Sequence, residues 1–144
     1  MKKFLFVCVD DEVIILRSIR EQLKRHFPSA EFIIEVAEGA EEALEIIDEY
    51  QQEGQALTLV ISDWLMPGIK GDEFLCHVHS KNPEAVTLLL TGQADESAVA
   101  RAREQANLFD CIAKPWDERK LLSTVALALS SYNEAQSQSL PQNE

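Results

Sequence analysis

The stretch TLVISDWLMPG, residues 58–68, runs β-favouring residues straight into a carboxylate, Asp63, and turns within five residues at Pro67 and Gly68. A short apolar run bounded by turn residues predicts a strand buried on both faces, as in parallel sheets covered by helices. A buried strand that ends in a charge raises the question of what that charge meets.

Working outward, short β-rich runs alternate with longer amphipathic ones. Strands are predicted over 4–9 (FLFVCV), 31–36 (EFIIEV), 56–62 (ALTLVIS), 85–91 (AVTLLLT) and 108–113 (LFDCIA). Helical spacing follows each of them: Leu16, Ile19 and Leu23 after Glu12; Ala43, Leu44 and Ile47 after Gly39; Phe74, Leu75 and Val78 after Gly71; Val99, Ala102 and Ala106 after Asp95; Leu121, Leu122, Val125 and Leu129 after Asp117. Strict β-α alternation implies right-handed crossovers and one parallel sheet with helices on both faces. Strands 1, 3 and 4 are continuously apolar and belong at the centre, whereas the mixed strands 2 and 5 suit the edges. The expected fold is a flavodoxin-like, doubly wound (βα)5 sandwich with strand order 2-1-3-4-5.

Composition narrows the function. The 144 residues, 46% hydrophobic, suit a single soluble domain over 1–132. Beyond Tyr132 the segment NEAQSQSLPQNE, 133–144, is polar enough to predict a C-terminal tail or linker stub. With 25 acids against 13 bases the net charge is −12, which would repel a phosphate backbone, so direct nucleic-acid binding is not expected. The apolar run after Lys2 and Lys3 lasts six residues, shorter than a signal-peptide core of roughly 7–15, and no stretch nears the ~20 residues that span a membrane. A cytoplasmic location is expected. Cys8, Cys76 and Cys111 form no CxxC pair and read as free, buried thiols.

In open α/β sheets the ligand crevice lies beyond the carboxyl ends of the strands, where the strand order reverses. There strand 1 delivers Asp10 and Asp11, strand 3 Asp63, strand 4 Thr91, and strand 5 Lys114 followed by Pro115. A pair of carboxylates ~4 Å apart repels by about 4 kcal/mol at an effective dielectric near 20, so three of them need a cation or partial protonation. Mg²⁺ suits one or two carboxylates, waters and a phosphate oxygen, and Lys114 and Thr91 suit the oxygens of a phosphoryl group in transfer. No Gly-rich loop is present to cradle a nucleotide. Singly, Asp11 could be a helix cap, Thr91 a strand-end threonine and Lys114 a solvated lysine. Their convergence at correlated strand ends points to a site.

With these residues in place, the chain resembles the receiver domains of two-component response regulators, of the CheY type. The resemblance covers roughly residues 3–132 and rests on VDDE, SDWLMPG, LLLTG and AKPW in that order. It implies that Asp63 is the phospho-acceptor, that Asp11, Asp63 and the Leu65 backbone carbonyl ligate Mg²⁺ with Asp10 reaching it through water, and that Thr91 and Lys114 are the switch hydroxyl and the phosphate-contacting lysine. It further implies a cis Lys114–Pro115 bond, a sensor histidine kinase or histidine phosphotransfer protein as donor, and an output domain or downstream protein as receiver of the signal. No enzymatic turnover beyond the chain's own acyl phosphate is expected.

The sequence departs from the family at Cys111, three residues before Lys114, where the family carries a Tyr or Phe; Phe109 lies two residues earlier. The aromatic half of the usual switch is therefore absent. Leu65 and Gln93 would flank the phosphoryl group, and an apolar Leu65 cannot orient a hydrolytic water, which favours a long-lived phosphoform. Ile14 and Ile15 widen the apolar surface of the first helix, either as core contact or as a docking patch for the kinase or a phosphotransfer helix. His77 and His79, spaced i, i+2, point to different faces and read as surface residues. A Mg²⁺-dependent phosphohydrolase with Asp63 as nucleophile is the alternative; such enzymes commonly carry a second acid two residues on, where this chain has Leu65. A phosphorylation-independent interaction module is a third reading, which the intact set of acids opposes.

Overall fold

A computed structural model of the chain describes residues 3–92 and 96–139. Ten elements alternate: β1 (Phe4–Val9), α1 (Val13–His26), β2 (Phe32–Ala37), α2 (Ala40–Gln52), β3 (Leu57–Asp63), α3 (Gly71–Lys81), β4 (Val86–Thr91), α4 (Glu96–Gln105), β5 (Leu108–Ala113) and α5 (Glu118–Ser139). The sheet is five-stranded and parallel in the order β2-β1-β3-β4-β5, the doubly wound arrangement expected from the alternation.

Strand parity divides the core into two layers. Leu5, Val7 and Val9 of β1 face one way with Val60 and Leu89, packing against Ala43 and Ile47 of α2, Phe74 and Val78 of α3, and Ala98 and Ala102 of α4. Phe6, Cys8, Ile61, Leu88 and Leu90 face the other way, against Leu16, Ile19 and Leu23 of α1 and Leu121 and Val125 of α5. The alternation of period two in the strands meets the i, i+3, i+4, i+7 stripes of the helices on both sides. Every residue of β3 is buried, as its central place requires.

Three differences from the sequence pattern have simple causes. Strands 2, 3 and 4 each begin one residue later than their apolar runs, because Glu31, Ala56 and Ala85 belong to the incoming turns; β2 and β3 also end one residue later, at Ala37 and Asp63. The inward face of α4 centres on Ala98 and Ala102, with Val99 half-buried at its margin and Ala106 buried just past the helix end. The last helix runs to Ser139, seven residues beyond the expected end of the folded unit at Tyr132. Gln93 and Asp95, and the last five residues of the predicted tail, lie outside the described residues.

Candidate functional site

Parallel strands in register bring their carboxyl ends to one edge. Val9 pairs with Ser62, Asp63 with Leu90 and Thr91 with Ala113, so Asp10, Asp63, Thr91 and Lys114 emerge side by side. The ammonium of Lys114 lies 2.7 Å from Asp10 Oδ2 and 3.1 Å from Asp63 Oδ1, and its backbone N–H donates to the Thr91 carbonyl at 3.1 Å. The Lys114–Pro115 peptide bond is cis. Thr91 is half-buried at the end of β4.

Asp10 is fully buried and Asp63 is 6% exposed. Asp10 Oδ1 accepts the Glu12 N–H at 2.8 Å, just ahead of α1, while Oδ2 has the Lys114 charge beside it but no hydrogen bond of regular geometry among the described residues. Asp11 is exposed. Carboxylate oxygens of Asp10, Asp11 and Glu12 lie within 4.8 Å of one another. Glu12 was not among the expected ligands; it sits one residue past the acid pair and could have been suggested by that adjacency alone. Leu65, whose carbonyl was expected to ligate, projects its side chain into solvent.

Burial is the main influence that pushes the Asp63 carboxyl above its usual value; the Lys114 hydrogen bond and charge pull it down, and the charges of Asp10 and Asp11 push it up again. For Lys114, burial is the largest influence and works downward, but close pairing with the Asp10 and Asp63 carboxylates outweighs it and holds the ammonium above the ordinary lysine value. The site sets one ammonium, that of Lys114, among the carboxylates of Asp10 and Asp63, with Asp11 close by. An oxygen-rich cluster with a buried, under-satisfied carboxylate oxygen fits a hard divalent cation such as Mg²⁺.

The loop after Asp63 is held by its backbone. Trp64 N–H donates to the Leu90 carbonyl at 3.0 Å, and Gly71 N–H donates to the Trp64 carbonyl at 2.7 Å. A Cβ on Gly71 would lie 2.2 Å from the Asp63 carbonyl oxygen, so only glycine lets α3 begin this close to the strand end. Sequence reasoning used Gly71 as a helix start; its contact with Asp63 depends on the fold.

The remaining sequence candidates sit elsewhere. Cys8 is buried, with its thiol pushed up to about 12 by burial, and Cys76 and Cys111 are half-buried and also raised, burial being the main cause. All three thiols are free. His77 is exposed, while His79 is half-buried, with Nδ1 enclosed and without a hydrogen bond among the described residues. No helix among the described residues is long and apolar enough to cross a membrane.

The family model described as response regulator receiver domain matches residues 6–126. The chain is 28% identical over 130 residues to the hydrogenase transcriptional regulatory protein HoxA of Cupriavidus necator, covering 90% of this chain and 25% of that protein. It is 28% identical over 136 residues to the DNA-binding transcriptional regulator NtrC of Escherichia coli K12, covering 94% of this chain and 27% of that one. The chain thus spans about a quarter of the length of these curated relatives. Among solved structures, the signal receiver domain of an HD domain-containing protein from Pseudomonas fluorescens Pf-5 superposes with a TM-score of 0.79 at 25% identity, over 92% of this chain and 99% of that chain.

Proposed function

The chain belongs to the response regulator receiver domain family of two-component signalling, and from that membership we propose that Asp63 is its phospho-acceptor. The observation that carries this proposal is the Lys114 ammonium shared between Asp63 and Asp10, which holds a cation beside the carboxylate that β3, the middle strand of the sheet, delivers to the crevice. An Asp63 oxygen attacks the phosphorus of a phosphohistidine on a sensor kinase or phosphotransfer protein. The new P–O bond forms as the P–N bond breaks, and the electron pair leaves on the imidazole. Lys114 then exchanges its Asp63 partner for a phosphoryl oxygen, so its charge follows the charge that is transferred.

Asp11, Asp63 and the Leu65 carbonyl would hold Mg²⁺, with Asp10 reaching it through water and Glu12 close by; when bound, the ion supplies further positive charge among these carboxylates. Thr91 is the proposed switch hydroxyl, and α4, β5 and α5 the surface whose population shifts towards an output domain or downstream protein. Val13 and Ile14 are 49% and 77% exposed, and Ile14, Ile15, Gln22, Pro115 and Trp116 line a groove beside the Lys114 end of β5. This groove is the proposed docking place of the donor. Residues 1–132 are the proposed receiver unit, with 133–144 as a polar C-terminal tail or linker stub. The free thiols accord with action in a reducing cytoplasm.

Incubation with Mg²⁺ and acetyl phosphate, followed by intact-mass analysis and free phosphate release, tests the proposal. One base-labile phosphoryl addition per chain, lost in Asp63→Asn and on chelation, is expected. Absence of any addition overturns the assignment. Labelling that survives Asp63→Asn moves it to another carboxylate, and sustained turnover of external phosphate esters would favour the hydrolase.

A further inference from the structure

A buried carboxylate that the phosphoryl chemistry does not use sits next to the site. Asp72, on the first turn of α3, has a side chain only 1% exposed, and its two oxygens are taken by two different elements. Oδ1 accepts the indole N–H of Trp64 at 3.1 Å, and Oδ2 pairs with Arg101 Nη1 of α4 at 2.5 Å. Trp64 is the residue immediately after Asp63 and is itself buried. An unbroken chain of polar contacts therefore runs from the residue beside the acceptor to the middle of α4.

We propose that Asp72 and Arg101 are positioning residues that couple the acceptor loop to α4, so that the occupancy of Asp63 and the placement of α4 are one equilibrium. This rests on the reading of Asp63 as acceptor. Two features of the packing make the link matter. The inward face of α4 fully buries only two side chains, the methyl groups of Ala98 and Ala102, with Val99 half-buried beside them, whereas α5 buries Leu121, Val125, Ala128 and Tyr132. The apolar seat of α4 is thus made of small side chains with Val99 at its margin, and the Arg101 ion pair adds a specific charged tie from α4 to α3. The carboxylate at the centre is also desolvated. A shift of the Trp64 indole leaves one of its oxygens unpaired unless α3 and Arg101 adjust, and an unpaired buried charge is disfavoured enough that the arrangements are discrete.

The route leaves the site on the α3 side of the sheet, through side chains that are already in contact. It does not need the aromatic residue whose usual position is held by Cys111. Lys70, with its ammonium 5.6 Å from the centre of the Trp64 ring, adds a cation on the outer side of the same indole. That contact further restrains where the ring can go.

The test uses the whole chain with Mg²⁺ and acetyl phosphate as phosphodonor, amide hydrogen exchange of residues 96–105 as the readout of α4, and intact mass as the readout of Asp63. In the wild type, phosphorylation is expected to change α4 protection several-fold. In Arg101→Gln, which alters a half-exposed side chain, Asp63 should label to the same stoichiometry while α4 exchanges fast in both states; Arg101→Lys, which keeps the charge, should recover part of the response. A purely structural role for Arg101 would slow or speed exchange in both states but leave the phosphorylation-dependent difference. An Arg101→Gln protein whose α4 responds as the wild type does, or a labelled wild type whose α4 does not respond, overturns the coupling. Failure of Asp63 to label at all overturns the acceptor assignment and this inference with it.

Discussion

At Asp63, the proposed phospho-acceptor, burial works against the charged form of the carboxyl. Its carboxyl is held above the ordinary value, burial being the main cause, so the folded chain binds more protons there than the unfolded chain does between the two pKa values. Stability therefore falls as pH rises through that window and stays lower above it. In metal-free buffer at pH 7, Asp63→Asn is expected to melt higher than the wild type. The gain should vanish below about pH 4, where an ordinary carboxyl is also protonated. Thermal melts from pH 3 to 8 check this, and a variant that melts lower at neutral pH would show that the Lys114 pair outweighs burial. Gly71→Ala has the opposite expectation. Its Cβ would meet the Asp63 carbonyl oxygen at 2.2 Å and Trp64 Cα at 2.8 Å, both backbone atoms that cannot swing aside. A loss of about 1–3 kcal/mol in urea titration, with slower acetyl phosphate labelling, is expected as the acceptor loop is pushed off the helix.

At the scale of elements, periodicity made all ten legible, because each strand and helix buries one side of a regular pattern. The acids and the lysine of the candidate site were legible for the same reason: each lies at, or just past, the carboxyl end of its strand. What links elements was not. Nothing in the chain announces that Asp72 meets Arg101, 29 residues away, or that Glu12 joins Asp10 and Asp11. The end of α5 was missed for a different cause. Asn133 to Ser139 cannot bury apolar surface, yet Glu, Ala and Gln are good helix formers, and a helix already nucleated by packing adds residues cheaply. The exposed apolar start of α1 was visible as excess width, and it carries its own prediction. Ile14 is 77% exposed, so Ile14→Asp should change stability by no more than about 0.5 kcal/mol and leave acetyl phosphate labelling intact. Transfer from a phosphohistidine partner should weaken about tenfold, the loss of ~1.4 kcal/mol of interface energy. Equal rates from both donors in the variant would remove α1 from the docking surface.

The whole molecule is a two-layered core closed at its amino-terminal strand ends by aromatic rings, and this sets where the chain can be cut. Phe4 stacks on Phe32 with centroids 5.2 Å apart, Phe27 packs edge-on against Phe32 at 5.0 Å, and Tyr132 meets Phe4 edge-on at 6.3 Å. Tyr132 is the last buried residue of α5 among the described residues, with its ring packed on Phe4 at the start of β1. Residues 133–138 are exposed or half-exposed, and the Gln136 amide donates to the exposed Glu84 carboxylate at 3.1 Å, a contact at the surface of the domain. A chain ending at Tyr132 should therefore lose about 0.5 kcal/mol or less, a drop of roughly 2 °C in Tm, and label at Asp63 as the full chain does. Tyr132→Ala in the full chain should instead cost ~3 kcal/mol, because it opens the aromatic end of the core. The comparison separates two parts of the same helix: up to Tyr132 it packs into the core, and from Asn133 to Gln138 its residues lie at the surface. A truncation as costly as Tyr132→Ala would mean that the last seven helical residues belong to the fold.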